Sequence, residues 1–147
     1  MTDRPGVWLG IDVGAVRVGV ARSDPGGVLA VPVATVPADP ARHTDLDRIQ
    51  ELIAEHEAVG VVVGLPRTLA GRDGPAVRAA REFGAALQSR IGQITVVYVD
   101  ERMTTVLAQR NLTSSGVRGR AKRAIVDQAA AVEILQSYLD AAGNRRQ

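Results

Sequence analysis

Three β-type segments follow one another between Val7 and Val36, joined by connections too short to hold a crossover helix, so the start of the chain is confined to an antiparallel meander. The first, Val7-Trp8-Leu9-Gly10-Ile11-Asp12-Val13, is nearly continuous in apolar residues and stops at Gly14, the pattern of a central strand covered on both faces. Val18-Gly19-Val20-Ala21-Arg22-Ser23 makes the second. The Gly26-Gly27 turn leads into a third through Val28, Leu29, Val31, Val33 and Val36, where Pro32 and Pro37 remove ladder donors and push the strand to an edge.

After Asp39-Pro40 the period changes. Leu46, Ile49, Leu52 and Ile53 mark one face of an amphipathic helix that runs to about Glu57, and Gly60 then introduces a fourth strand over Val61–Leu65. A glycine-containing loop from Pro66 to Gly74 precedes a second helix, which starts at Asp73-Gly74-Pro75 and turns Val77, Ala80, Phe83, Ala86 and Leu87 inward. Ile94 to Val99 forms a fifth strand, Thr104 and Thr105 can cap a short third helix reaching toward Leu112, and Ser114 to Arg120 has the composition of a mobile loop. A last helix runs from about Ala121 to Ala142. The expected fold is α/β: a five-stranded mixed sheet, three antiparallel strands then two parallel ones, with helices on both faces. At 147 residues one core is expected, and the whole chain, 1–147, reads as a single domain.

Cysteine is absent, which excludes disulfides, thiolate zinc sites and a cysteine nucleophile. His43 and His56 lie on or beside the first helix, apart from any acid pair, and read as surface residues. No apolar run approaches the roughly 18 residues of a membrane span, so a soluble, cytoplasmic protein is expected. The formal net charge is only +2, but Arg118, Arg120, Lys122 and Arg123 crowd one segment without an intervening acid. That run suits a phosphate backbone as well as it suits a solvated face. Aromatic residues make up 3% of the chain, too few for a base-stacking platform.

Acids stand where apolar strands end. Asp12 closes the central strand, at the carboxyl edge where ligand crevices of α/β sheets open, although an Asp there can also cap the Gly14-Ala15 turn. Asp100 and Glu101 follow the fifth strand, where they could equally face the dipole of the next helix. Asp127 interrupts an alanine-rich helical run and aligns with Ala131, Ile134, Leu135 and Tyr138, so its carboxylate should point to the sheet. There it meets either the other acids or an arginine, with Arg102 the candidate. Three converging acids repel unless cations join them, and oxygen-only ligation suits Mg²⁺ or Mn²⁺. Gly14-Ala15-Val16-Arg17 could also bring amides and a guanidinium to a phosphate.

Taken in order, Gly10-Ile11-Asp12-Val13-Gly14 with Arg17-Val18-Gly19-Val20-Ala21, Val63-Gly64-Leu65-Pro66, Val99-Asp100-Glu101-Arg102-Met103-Thr104-Thr105 and Asp127-Gln128-Ala129-Ala130-Ala131 resemble the YqgF family, also called RuvX, over nearly the whole chain. The resemblance implies a ribonuclease H-like fold akin to the resolvase RuvC, and a nuclease that matures the 5′ end of 16S ribosomal RNA or, in some members, resolves Holliday junctions. It assigns Asp12, Glu101 and Asp127 as catalytic, metal-binding acids, with Asp100 as a substitute or outer partner. Nucleic acid, either structured precursor ribosomal RNA or branched DNA, would lie along Arg17, Arg102, Arg118, Arg120, Lys122 and Arg123. A monomer is favoured over a dimer, because the apolar helical stripes are already needed to cover the sheet. Two other classes compete: an actin-like phosphotransferase, which needs a second domain that 147 residues cannot supply, and a non-catalytic nucleic-acid-binding module.

Overall fold

The computed structural model describes residues 6–66, 74–101 and 119–146, and of 119–124 and 144–146 the backbone alone. Strands β1 (Trp8–Val13), β2 (Arg17–Ser23) and β3 (Ala30–Pro37) form the expected meander, and β4 (Gly60–Leu65) and β5 (Thr95–Asp100) add in parallel on the other side of β1. The sheet order is β3-β2-β1-β4-β5, so the proline-bearing strand is an edge and the apolar first strand is central.

Period-two alternation divides the core. Leu9, Ile11, Val18, Val20, Val61 and Val63 face helices α1 (Thr44–His56) and α2 (Pro75–Ile91). Trp8, Ala21 and Val62 face the long last helix, α3 (Gly119–Arg146), which answers with Ala130, Ala131, Ile134, Leu135 and Leu139. The backbone of α3 comes so close to the sheet that a Cβ on Gly10 would stand 2.6 Å from Leu135 Cβ and 2.8 Å from the Ala131 carbonyl oxygen. Only a residue without a side chain admits that approach.

Several expectations shift. Val28 and Leu29 are 70% and 59% exposed and lie outside β3, because the Asp24 carboxylate accepts their amides at 2.8 and 2.7 Å and that of Gly26 at 3.0 Å. Their amides therefore serve a side-chain-closed turn and not a ladder. In α2, Phe83 and Ala86 pack against the core as expected, partly buried, and Gly84 joins the buried residues against Tyr98. Gly119 and Arg120 are helical, which extends α3 two residues before its expected start. The expected short helix from Thr104, together with Arg102 and Arg118, lies outside the described residues.

The Asp24 turn carries its own test. The amides of Leu29 and then Val28, with Gly26 behind them, hold the Asp24 carboxyl below its ordinary 3.8. A depressed folded value means the turn's stabilisation is present above 3.8 and is lost as pH falls through the lower folded value. The amide proton shifts of Val28 and Leu29 are expected to titrate together with a midpoint below 3.8, and a midpoint at or above it would remove Asp24 from that role.

Candidate active site

Because Trp8 packs on the α3 side, Asp12 also faces α3, and it is 3% exposed at the end of β1. Its cross-strand partner on β2 is Gly19, and the space above Gly19 is filled by Asp127, whose carbonyl oxygen lies against the glycine and whose Cβ would be 3.2 Å from an added Cβ. On the other side, the β1–β4 ladder runs to Ile11 and Val63, so the next residues in line are Asp12 and Gly64. Above Gly64 an added Cβ would be 3.3 Å from Glu101 Cγ and 2.5 Å from Ile134 Cδ1. Glu101 is fully buried, both carboxylate oxygens included. The three acids thus lie on one face at one end of the sheet, in the lateral order Asp127, Asp12, Glu101.

Sequence reading found these acids but missed the two glycines that give Asp127 and Glu101 their room. The available signal was the alternation itself, since Gly19 and Gly64 sit at strand positions where a side chain would otherwise cover the sheet.

The carboxylates are not gathered into one cluster. Among the described residues no three acidic or imidazole side chains stand close enough to share an ion. Asp127 turns to Arg17 instead, with Nε donating to Oδ2 at 2.7 Å and the side chains 28% and 22% exposed. Arg17 precedes Gly19 by two residues on β2 and so shares its face, whereas Arg102, the sequence's candidate partner, lies outside the described residues. Gln128 steadies this stretch of α3 through Nε2 to Thr35 Oγ1, 2.9 Å.

Asp100 stands apart. It pairs in register with Leu65, which packs on the α1–α2 side, and alternation directs it away from the face of Asp12 and Glu101. Arg120, Lys122 and Arg123 fall in the first turns of α3, and Arg118 precedes the described helix. His43 is exposed before α1, and His56 ends that helix. A cavity of about 330 Å³ opens on the opposite face between the β1–β2 turn and helices α1 and α2, lined by Val13, Ala15, Leu46 and Phe83 among others, and it takes in none of the three acids. The acid face is the better candidate, because it brings buried carboxylates to strand ends and the cavity is largely apolar. As a donor set, two buried carboxylates with a third one ladder position away offer oxygen only, which fits a hard divalent cation and not zinc or copper.

Residues 6–141 match the RuvX family, described as Holliday junction resolvase. A protein of Frankia casuarinae named "Putative pre-16S rRNA nuclease" is 54% identical over 134 residues, covering 91% of this chain and 66% of its own length. A Mycobacterium sp. (strain KMS) protein of the same name is 53% identical over 147 residues, covering 95% of this chain and 87% of its own. In structure, the chain resembles Thermus thermophilus RuvC, solved alone and with a Holliday junction substrate. The junction-bound structure gives a TM-score of 0.56 at 16% identity, covering 93% of this chain and 96% of that one. The likeness shows the ribonuclease H-like fold expected from the motifs. With a family match over residues 6–141 and relatives above 50% identity, the chain belongs to the RuvX family.

Proposed function

We propose that this chain is a metal-dependent endonuclease that cuts the phosphodiester backbone of structured precursor ribosomal RNA, acting as a single-domain monomer in the cytoplasm. The observation that carries the reading is the placement of Asp12 between Gly19, which lies under Asp127, and Gly64, which lies under Glu101. Asp12, Glu101 and Asp127 would hold Mg²⁺ or Mn²⁺, with Asp100 left to an outer role. A bound divalent cation supplies Lewis acidity to the attacking water and neutralises charge on the phosphodiester. The chain's own contribution is preorganisation: Glu101 is sealed from solvent, Asp12 is fixed by its pairing with Gly19 at the end of the central strand, and Asp127 is held by a helix packed onto glycine. Arg17, Arg102, Arg118, Arg120, Lys122 and Arg123 would draw in the phosphate backbone, and hydrolysis would leave 5′-phosphate and 3′-hydroxyl ends. The names of the Frankia and mycobacterial relatives support the RNA substrate.

The family's description favours a second reading, resolution of four-way DNA junctions. That task needs two sites at a fixed separation, normally supplied by a two-fold dimer. The exposed large apolar side chains among the described residues, Val16, Val28, Leu29, Tyr98 and Ile125, are spread over two turns, β5 and α3, which supports a monomer.

The test is cleavage of a 5′-extended 16S precursor fragment and of a four-way DNA junction under matched metal and salt. RNA cleavage is expected. Paired, symmetric nicks in the junction by a stable dimer, without RNA cleavage, would reverse the assignment. Charge reversal of Arg118, Arg120, Lys122 and Arg123 is expected to weaken RNA binding and flatten its salt dependence by up to about four phosphate contacts. An unchanged salt slope would return that segment to ordinary solvated surface.

A further inference from the structure

Asp127 is rooted at one point with two neighbours in different directions. Its Cβ and carbonyl lie over Gly19, so the backbone cannot shift without lifting α3 off β2. Along β2, two residues away and about 7 Å distant, stands Arg17, and across the ladder, about 5 Å away, stands Asp12. Both flank Gly19 on the α3 face. A rotation about the side-chain bonds of Asp127 therefore chooses which neighbour its carboxylate addresses, with no backbone movement. In the structure it addresses Arg17, whose Nε donates to Oδ2 at 2.7 Å. An arginine–carboxylate pair at a partly exposed position is held loosely enough to exchange.

We propose that Arg17 and the divalent cation compete for the Asp127 carboxylate, and that the guanidinium released by the cation binds a phosphate of the substrate strand. The inference rests on the active-site reading above. Arg17 is backbone-locked for this task, since its carbonyl accepts the Gly14 amide at 3.0 Å and closes the β1–β2 turn beside Asp12. A guanidinium and a divalent cation on one carboxylate repel each other, so each occupancy weakens the other. Coupling follows: the cation, by freeing Arg17, tightens nucleic-acid binding, and nucleic acid tightens the cation by the same factor.

The sign of one measurement separates this role from a static one. With Mn²⁺ titrated onto the full chain without nucleic acid, Arg17→Gln is expected to bind the ion roughly fivefold more tightly, with Arg17→Lys between it and the wild type, because a competitor has been removed. Were Arg17 instead an orienting partner of Asp127 in the loaded site, its loss would weaken the ion about 10–100-fold. Unchanged or weaker affinity in Arg17→Gln overturns the proposal.

A second measurement uses the wild-type chain. The Arg17 Nε–H resonance is expected to move on saturation with Mg²⁺, and a resonance unmoved at saturation overturns the exchange. On an oligonucleotide that stays intact during the measurement, Arg17→Gln is expected to lose affinity several-fold with Mg²⁺ and little in EDTA. Equal losses in both conditions overturn the hand-over to phosphate. If neither wild type nor Asp127→Asn is stabilised or shifted by metal, the metal-site reading falls and the proposal falls with it. That result is distinct from wild type binding metal while Arg17 stays in place.

Discussion

Asp12→Asn is expected to lower cleavage by about 10³-fold or more, while the protein without added metal melts at a higher temperature than the wild type. Both effects follow from one position. Asp12 is 3% exposed and stands between the acid over Gly19 and the acid over Gly64, so of the three it is the one with an acid on either side. Removing it relieves like-charge repulsion in a place where water screens little, and a neutral amide of the same shape keeps the strand pairing intact. The same change removes a ligand, so stabilisation by Mn²⁺, which grows as the logarithm of ion concentration over Kd, should largely vanish. Thermal melts of both proteins with Mn²⁺ and with EDTA, beside a cleavage assay, provide the measurement. A fall in metal-free stability with the Mn²⁺ effect retained would make Asp12 a turn cap, the alternative its position next to Gly14 also allows.

The acids were legible because each breaks a pattern. Asp12 ends an apolar strand and Asp127 interrupts a helical stripe that packs as its spacing predicts, through Ala131, Ile134 and Leu135. What joins them was less legible, since it depends on tertiary register. That Arg17 and Gly19 share a face follows from alternation, but that Asp127 stands above them depends on where α3 crosses β2, which no local signal encodes. Val28 and Leu29 were assigned to a strand because β-branched and apolar residues fit one, yet a single carboxylate, Asp24, claims their amides first. Phe83 packs inward on the core as helical spacing predicts, with Gly84 buried beside it under the ring of Tyr98. For Asp127 and for Val28–Leu29 the local preference is real, and a contact distant in sequence or a competing acceptor decides the outcome.

The glycines that seat α3 predict an ordering of stabilities. An added methyl at Gly19 would run into the Asp127 carbonyl oxygen and carbon, both backbone, so neither can rotate aside and the helix has to lift. Gly19→Ala is therefore expected to cost about 3 kcal/mol, which for a chain of this size lowers Tm by roughly 6–12 °C, and to abolish cleavage because Asp127 moves with the helix. Gly10→Ala meets Leu135 Cβ at 2.6 Å and the Ala131 carbonyl oxygen at 2.8 Å, and is expected to cost nearly as much. At Gly64 the nearest atom is Ile134 Cδ1, the far end of a flexible side chain, so a milder loss of about 1 kcal/mol is expected. Gly143, in the same helix, has nothing within 4 Å, and alanine there should stabilise by about 0.5–1 kcal/mol through helix propensity alone. Thermal denaturation of the four variants reads the order directly. If Gly19→Ala melts with the wild type, α3 does not rest on β2 at Asp127, and the placement of the third acid beside Asp12 is lost with it.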